Sequence, residues 1–123
     1  MLVQTVQIAR SGPRQEHPDT LRAISSLGKL YQMQGLWKEA EKVGIQVLTA
    51  SRRELGGEDP LTLDSMVELA RIWKGQARLS ESLELLQKSL DLQERVLGSD
   101  HSDTVNTRST LSAWLEEESN ERS

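Results

Sequence analysis

Two histidines, a scatter of carboxylates and three tryptophans are the side chains whose types could do chemistry in this chain. His17 sits near Asp19 in EHPDTL, residues 16–21, and His101 sits in DHSDTV, residues 100–105. A related phrase, EDPLTL at 58–63, places Asp59 where the other two place histidine. Imidazoles and carboxylates so arranged could ligate a metal or move protons. The spacing argues against both. No H-x-x-x-H pair puts two ligands on one helix face, and there is no Cys for a thiolate site or a sulfur nucleophile. Gly56-Gly57 lacks the G-x-x-x-x-G-K pattern of a phosphate loop. Nucleophile, base and orienter are nowhere spaced as a working unit. The reading is therefore of a chain with no catalytic, cofactor-binding or metal-binding residues, and not an enzyme.

The recurring phrase must then serve position. Shifting the chain by 42 residues aligns His17, Asp59 and His101, then Thr20, Thr62 and Thr104, then Leu21, Leu63 and Val105. Leu27, Leu69 and Leu111 coincide, Tyr31 falls on Trp73, and Leu55-Gly56 falls on Leu97-Gly98. Between residues 17–58 and 59–100 there are ten identities without a gap, which is several times chance. A fixed period of this size marks a stacked solenoid, in which each repeat buries its apolar face against its neighbours.

Each period holds two helices. Asp59 is a good N-cap, and Pro60 suits the first helical position, where a missing N–H costs nothing. His17-Pro18 plays the same part in the first copy, and Ser102 replaces the proline in the third. Leu21, Ile24, Leu27, Gly28 and Tyr31 line one face at helical spacing, as do Leu63, Met66, Leu69, Ala70 and Trp73. Gly35 ends the first of these helices. A second runs from Trp37 to about Glu54 with Ala40, Val43, Val47 and Leu48 inward, and Leu79 to Val96 repeats it. Leu-Gly closes both. The phrase is a cap, a helix start and a corner.

Composition agrees with an all-α chain, rich in Leu, Glu, Gln, Arg, Lys and Ser and devoid of Phe. The formal net charge of −4 is mild, and no run of Lys or Arg marks a nucleic-acid surface. No stretch approaches the roughly 18 consecutive apolar residues of a membrane span. The opening MLVQTVQIARSG has neither the basic start nor the apolar block of a secretion signal. With no Cys, the expectation is an intracellular, cytoplasmic protein.

The pattern Leu27-Gly28-x-x-Tyr31, then Gly35, then W-K-E-A-E at 37–41, resembles the tetratricopeptide (TPR) repeat. The 42-residue period, opened by HPDTL and closed by Leu-Gly, resembles the longer kinesin-light-chain type. QGLWKEAEK, ARIWKGQAR, RVLGSDHSDTV and TLSAWLEE are similar to the C-terminal repeats of fungal NB-ARC-type proteins, sensors with an effector domain, a nucleotide switch and a TPR array. The resemblance implies a right-handed solenoid of antiparallel helix pairs, with about six helices here. Residues 1–16 would be the second half of a truncated repeat, since Val6 aligns with Leu48 and Arg10 with Arg52. Residues 17–58 and 59–100 would be full repeats, and 101–123 a capping helix with a short tail, made acidic by Glu116–Glu118. The segment would be the C-terminal end of a longer array.

In such arrays the first helix of each repeat lines a concave groove for a protein or peptide. Carried over from the Leu27/Gly28/Tyr31 frame, the groove positions are Arg22, Ser25, Lys29, Gln32 and Met33, then Asp64, Val67, Glu68, Arg71 and Lys74. Lys29, Arg71 and Lys74 would form a locally basic strip able to attract an acidic peptide. The Asn pair typical of kinesin light chains is absent; Ser25-Ser26, Val67-Glu68 and Ser109-Thr110 stand at those positions. The set does not match the Lys/Asn clamp for chaperone C-termini either. Trp73 and Trp114 read as core, and Trp37 as part of an inter-helix contact. The alternative is a spacer or self-association segment of a multidomain signalling ATPase. In that reading Leu2, Val3, Val6 and Ile8, lacking their partner helix, form the contact of a homodimer at the open N-terminal end. Neither reading involves a cofactor, nucleic acid or membrane.

Overall fold

The helix starts follow the capping chemistry. Asp59 Oδ1 accepts a hydrogen bond from the Leu61 N–H at 2.9 Å, which satisfies one donor that the first turn leaves without a partner. The computed structural model describes residues 18–122, and among them five helices: α1 Pro18–Met33, α2 Trp37–Leu55, α3 Pro60–Gly75, α4 Leu79–Val96 and α5 Ser102–Arg122. No strand occurs among the described residues. The expected sixth helix, at Met1–Ser11, lies outside them, as do His17 and the proposed contact residues Leu2, Val3, Val6 and Ile8.

The chain forms two compact units, one reaching to Ser65 and the other starting at Met66. In the first, α1 folds back on α2, and Leu21, Ile24, Ala40, Val47, Leu48 and Ala50 are buried. The two helices approach closely at Gly28, where an added Cβ would come within 3.1 Å of Val43 Cγ1. In the second unit, Val67 and Ala70 of α3, Leu83, Leu86 and Leu90 of α4, and Leu111 and Trp114 of α5 make one cluster. Full burial of each such Leu contributes roughly 1.5–3 kcal/mol.

Three buried serine hydroxyls are satisfied by carbonyls of their own helices. The hydroxyls of Ser65 and Ser89 donate to the carbonyls of Leu61 and Leu85, each at 2.8 Å. Ser82 donates to the Leu79 carbonyl at 2.7 Å. A buried hydroxyl satisfied by its own helix costs the core little.

The corners repeat as the helices do. Gly56 and Gly98 end α2 and α4 with the same φ of 98°. The Asp59 and His101 N–H groups donate back to the carbonyls of Gly56 and Gly98, at 3.4 and 3.3 Å. The turn after α1 has Gly35 at φ 74°, and the turn after α3 has Ala77 at φ 64°. No described helix is long and apolar enough to cross a membrane.

Candidate partner-facing surface

Residues Arg22, Ser25, Lys29, Gln32 and Met33 lie on α1, in the first unit. The positions run along the flank of the helix beside its buried Leu21 and Ile24. Arg22, Lys29 and Met33 are exposed, whereas Ser25 and Gln32 are half-buried. Arg22 stands 3.7 Å from the Asp19 carboxylate, one turn earlier, in a solvated pair. Such exposed pairs contribute about 0–1 kcal/mol.

The corresponding positions of α3 are divided by the unit boundary, with Asp64 in the first unit and Val67, Glu68, Arg71 and Lys74 in the second. Arg71 is exposed; Asp64, Glu68 and Lys74 are half-buried. Val67 departs from expectation. Only 6% exposed, it belongs to the core cluster rather than to an open face. The cause is α5, whose Leu111 and Trp114 extend that core toward this side of α3.

Lys74 is also engaged. Its Nζ lies 3.1 Å from a Glu117 carboxylate oxygen and 5.4 Å from the centre of the Trp114 ring. The aromatic face and the carboxylate hold the ammonium together. Of the three cations expected to form a basic strip, Lys29 and Arg71 are exposed, while Lys74 is tied to the acidic end of α5.

One arrangement in the second unit was not foreseen. The Arg78 guanidinium lies 4.9 Å from the centre of the Trp73 ring and meets Glu81 through two hydrogen bonds, at 2.8 and 2.9 Å. It joins the end of α3 to the start of α4. The Arg78-x-x-Glu81 spacing was the available sequence signal. Trp37 is half-buried and Trp114 buried. His101 Nδ1 accepts a hydrogen bond from the Asp103 N–H at 3.1 Å, a capping role. No group of three His, Cys, Asp or Glu side chains among the described residues could hold a metal ion.

The comparisons with known proteins fall on the same repeats. No curated protein matches the chain. Among solved structures, a protein of Podosopora anserina described as a kinesin light chain with nearly identical TPR-like repeats is 30% identical, with a TM-score of 0.76. The match covers 85% of this chain and 50% of that one. A variant of that protein is 29% identical with the same TM-score, over 87% of this chain and 50% of its own. The chain therefore spans half the length of the structures it resembles. The family model of the tetratricopeptide repeat matches residues 20–61 and 62–103, two lengths of 42 that follow the internal period. The chain belongs to the tetratricopeptide repeat family, in the longer form shared with kinesin light chain-like repeats.

Proposed function

We propose that this segment is a non-catalytic protein–protein interaction module whose first-type helices present a concave surface to a protein or peptide. Tetratricopeptide repeats generally mediate protein–protein contacts and are typically non-catalytic. The observation that carries the finer reading is the matched pair Lys29 and Arg71. They occupy equivalent positions of α1 and α3, one period apart, and both side chains are exposed. An acidic, extended or helical peptide is the partner class that such cations attract, in a protein otherwise of net charge −4. We further propose that the segment is part of a larger sensor or adaptor, of the kind in which a repeat array reports to a nucleotide-dependent switch.

The test uses an array of acidic peptides and the double variant Lys29→Glu with Arg71→Glu, read by fluorescence anisotropy at several salt concentrations. The reversal is expected to weaken capture by about tenfold or more, roughly 1.4 kcal/mol, and to flatten its salt dependence. Helicity should not change. Unaltered capture by the doubly reversed chain would refute the groove assignment.

A further inference from the structure

We propose that the outward seam of α2, from Lys38 to Arg52, docks an acidic amphipathic helix of a partner protein. The proposal is independent of the concave surface assigned to α1 and α3.

Helix α2 turns Ala40, Val47, Leu48, Ala50 and Ser51 to the core. On its opposite side Lys38, Lys42, Ile45, Thr49 and Arg52 are all exposed. Their spacings of four, three, four and three residues keep them within about 40° of one line down the helix. That line is about 21 Å long. Ile45, 45% exposed, stands at its centre. Lys38 and Arg52 lie seven residues to either side of it, at about 10 Å each. None of Lys38, Lys42 and Arg52 makes an ion pair with a described residue. The carboxylates of the helix keep off the line. Glu39 stands to one side, Glu41 is half-buried at the margin, and Glu54 is held by Arg53 at 2.7 Å.

The same register positions of α4, 42 residues on, are Ser80, Glu84, Gln87, Asp91 and Glu94, and all are exposed. Exposure of this seam therefore recurs with the helix pair, but its chemistry does not. The α4 seam has no apolar residue, and its polar groups are partly satisfied within the chain. Gln87 donates to Asp91 at 2.9 Å, and Glu94 meets Arg108 at 3.1 Å. That is a solvated face. The α2 seam instead holds three cations without a counter-ion around an isoleucine half in water.

The arrangement defines the occupant. A helix laid along α2 places one apolar residue over Ile45 and carboxylates seven residues to either side, over Lys38 and Arg52. Exposed ion pairs contribute little one by one, so selectivity comes from matching all three points at once. A flat anionic surface would also press on Glu39, whereas a helix touches only the seam.

Two helix-forming peptides of identical composition test the proposal, read by fluorescence anisotropy with the full chain. One carries a leucine with a glutamate seven residues to each side; the other puts leucine and glutamates on opposite faces. The first is expected to bind about tenfold tighter or more. Lys38→Glu with Arg52→Glu should weaken its capture about tenfold, and Ile45→Gln, which copies α4, about threefold. Lys29→Glu with Arg71→Glu should leave it unchanged, which separates this seam from the concave surface. Circular dichroism checks that every variant keeps its helicity. Equal binding of the two peptides, or unaltered capture by the Lys38/Arg52 reversal, would overturn the proposal. So would phosphatidylserine vesicles that hold the chain more tightly than the peptide through the same residues. A rise in light-scattering mass that the reversal abolishes would assign the seam to a second copy instead.

Discussion

Asp59 and His101 stand one 42-residue period apart and perform the same task with different chemistry. The Asp59 carboxylate accepts from the Leu61 N–H at 2.9 Å, and the His101 imidazole accepts from the Asp103 N–H at 3.1 Å. Each also offers its own carbonyl to the first intrahelical bond, from Leu63 at 3.0 Å and Val105 at 2.9 Å. The histidine that first suggests a metal or a proton shuttle is here a helix cap. Replacing it with Ala is expected to cost about 0.5–1 kcal/mol, whereas Asp should preserve or raise stability. Urea midpoints of the two variants decide this. An unchanged midpoint for His101→Ala would remove the capping role.

Gly35 and Ala77 make a second matched pair, at φ 74° and 64°. Their N–H groups donate to the carbonyls of Gln32 and Lys74, both at 3.0 Å, in identical turns. Only one of the two residues suits that backbone, because a Cβ in the left-handed region crowds the following carbonyl by roughly 1–2 kcal/mol. Ala77→Gly is expected to raise the melting temperature by several degrees, corresponding to about 1 kcal/mol. Gly35→Ala should lower it by a similar amount, since no atom lies within 4 Å of the added methyl and only the backbone responds. Calorimetry of both variants gives the sign directly.

The approach of α1 to α2 at Gly28 leaves room for little more than hydrogen. A leucine there must push Val43 aside and is expected to destabilise by about 1–3 kcal/mol. Chemical denaturation monitored by helicity provides the measurement. A fully stable Gly28→Leu chain would mean that the helices can separate at no cost.

Trp114 and Glu117 both hold Lys74, yet they should differ greatly in weight. The Trp114 ring is 9% exposed and belongs to the core cluster, so Trp114→Ala is expected to cost about 3–5 kcal/mol and loosen α5. The Glu117 carboxylate is half in water, and Glu117→Gln should cost less than about 1 kcal/mol. Hydrogen exchange along α5 after each substitution tests the ranking. Equal losses would show that the ion pair, rather than the aromatic packing, anchors the helix.

The period, the helix pairs and the meaning of the repeated phrase were legible in the sequence because they rest on local rules. Caps, glycine turns and 3.6-residue spacing act within a few residues, and a copy 42 positions away repeats them independently of the rest of the fold. Hence Leu79–Val96 could be bounded from the chain alone, and Trp37–Leu55 to within one residue. The acidic helix at 102–118 was also foreseen, though it continues to Arg122. Side-chain exposure was not legible in the same way. Val67 reads like its counterpart Ser25 until Leu111 and Trp114 cover it, and Lys74 reads as an available cation until Glu117 reaches it. Leu115 occupies the place of Tyr31 and Trp73 but stands open. Periodicity by itself determined which residues share a flank. Whether that flank meets core, counter-ion or water was decided only by tertiary packing, because burial depends on which helix lies opposite, and a repeat position does not encode its neighbour.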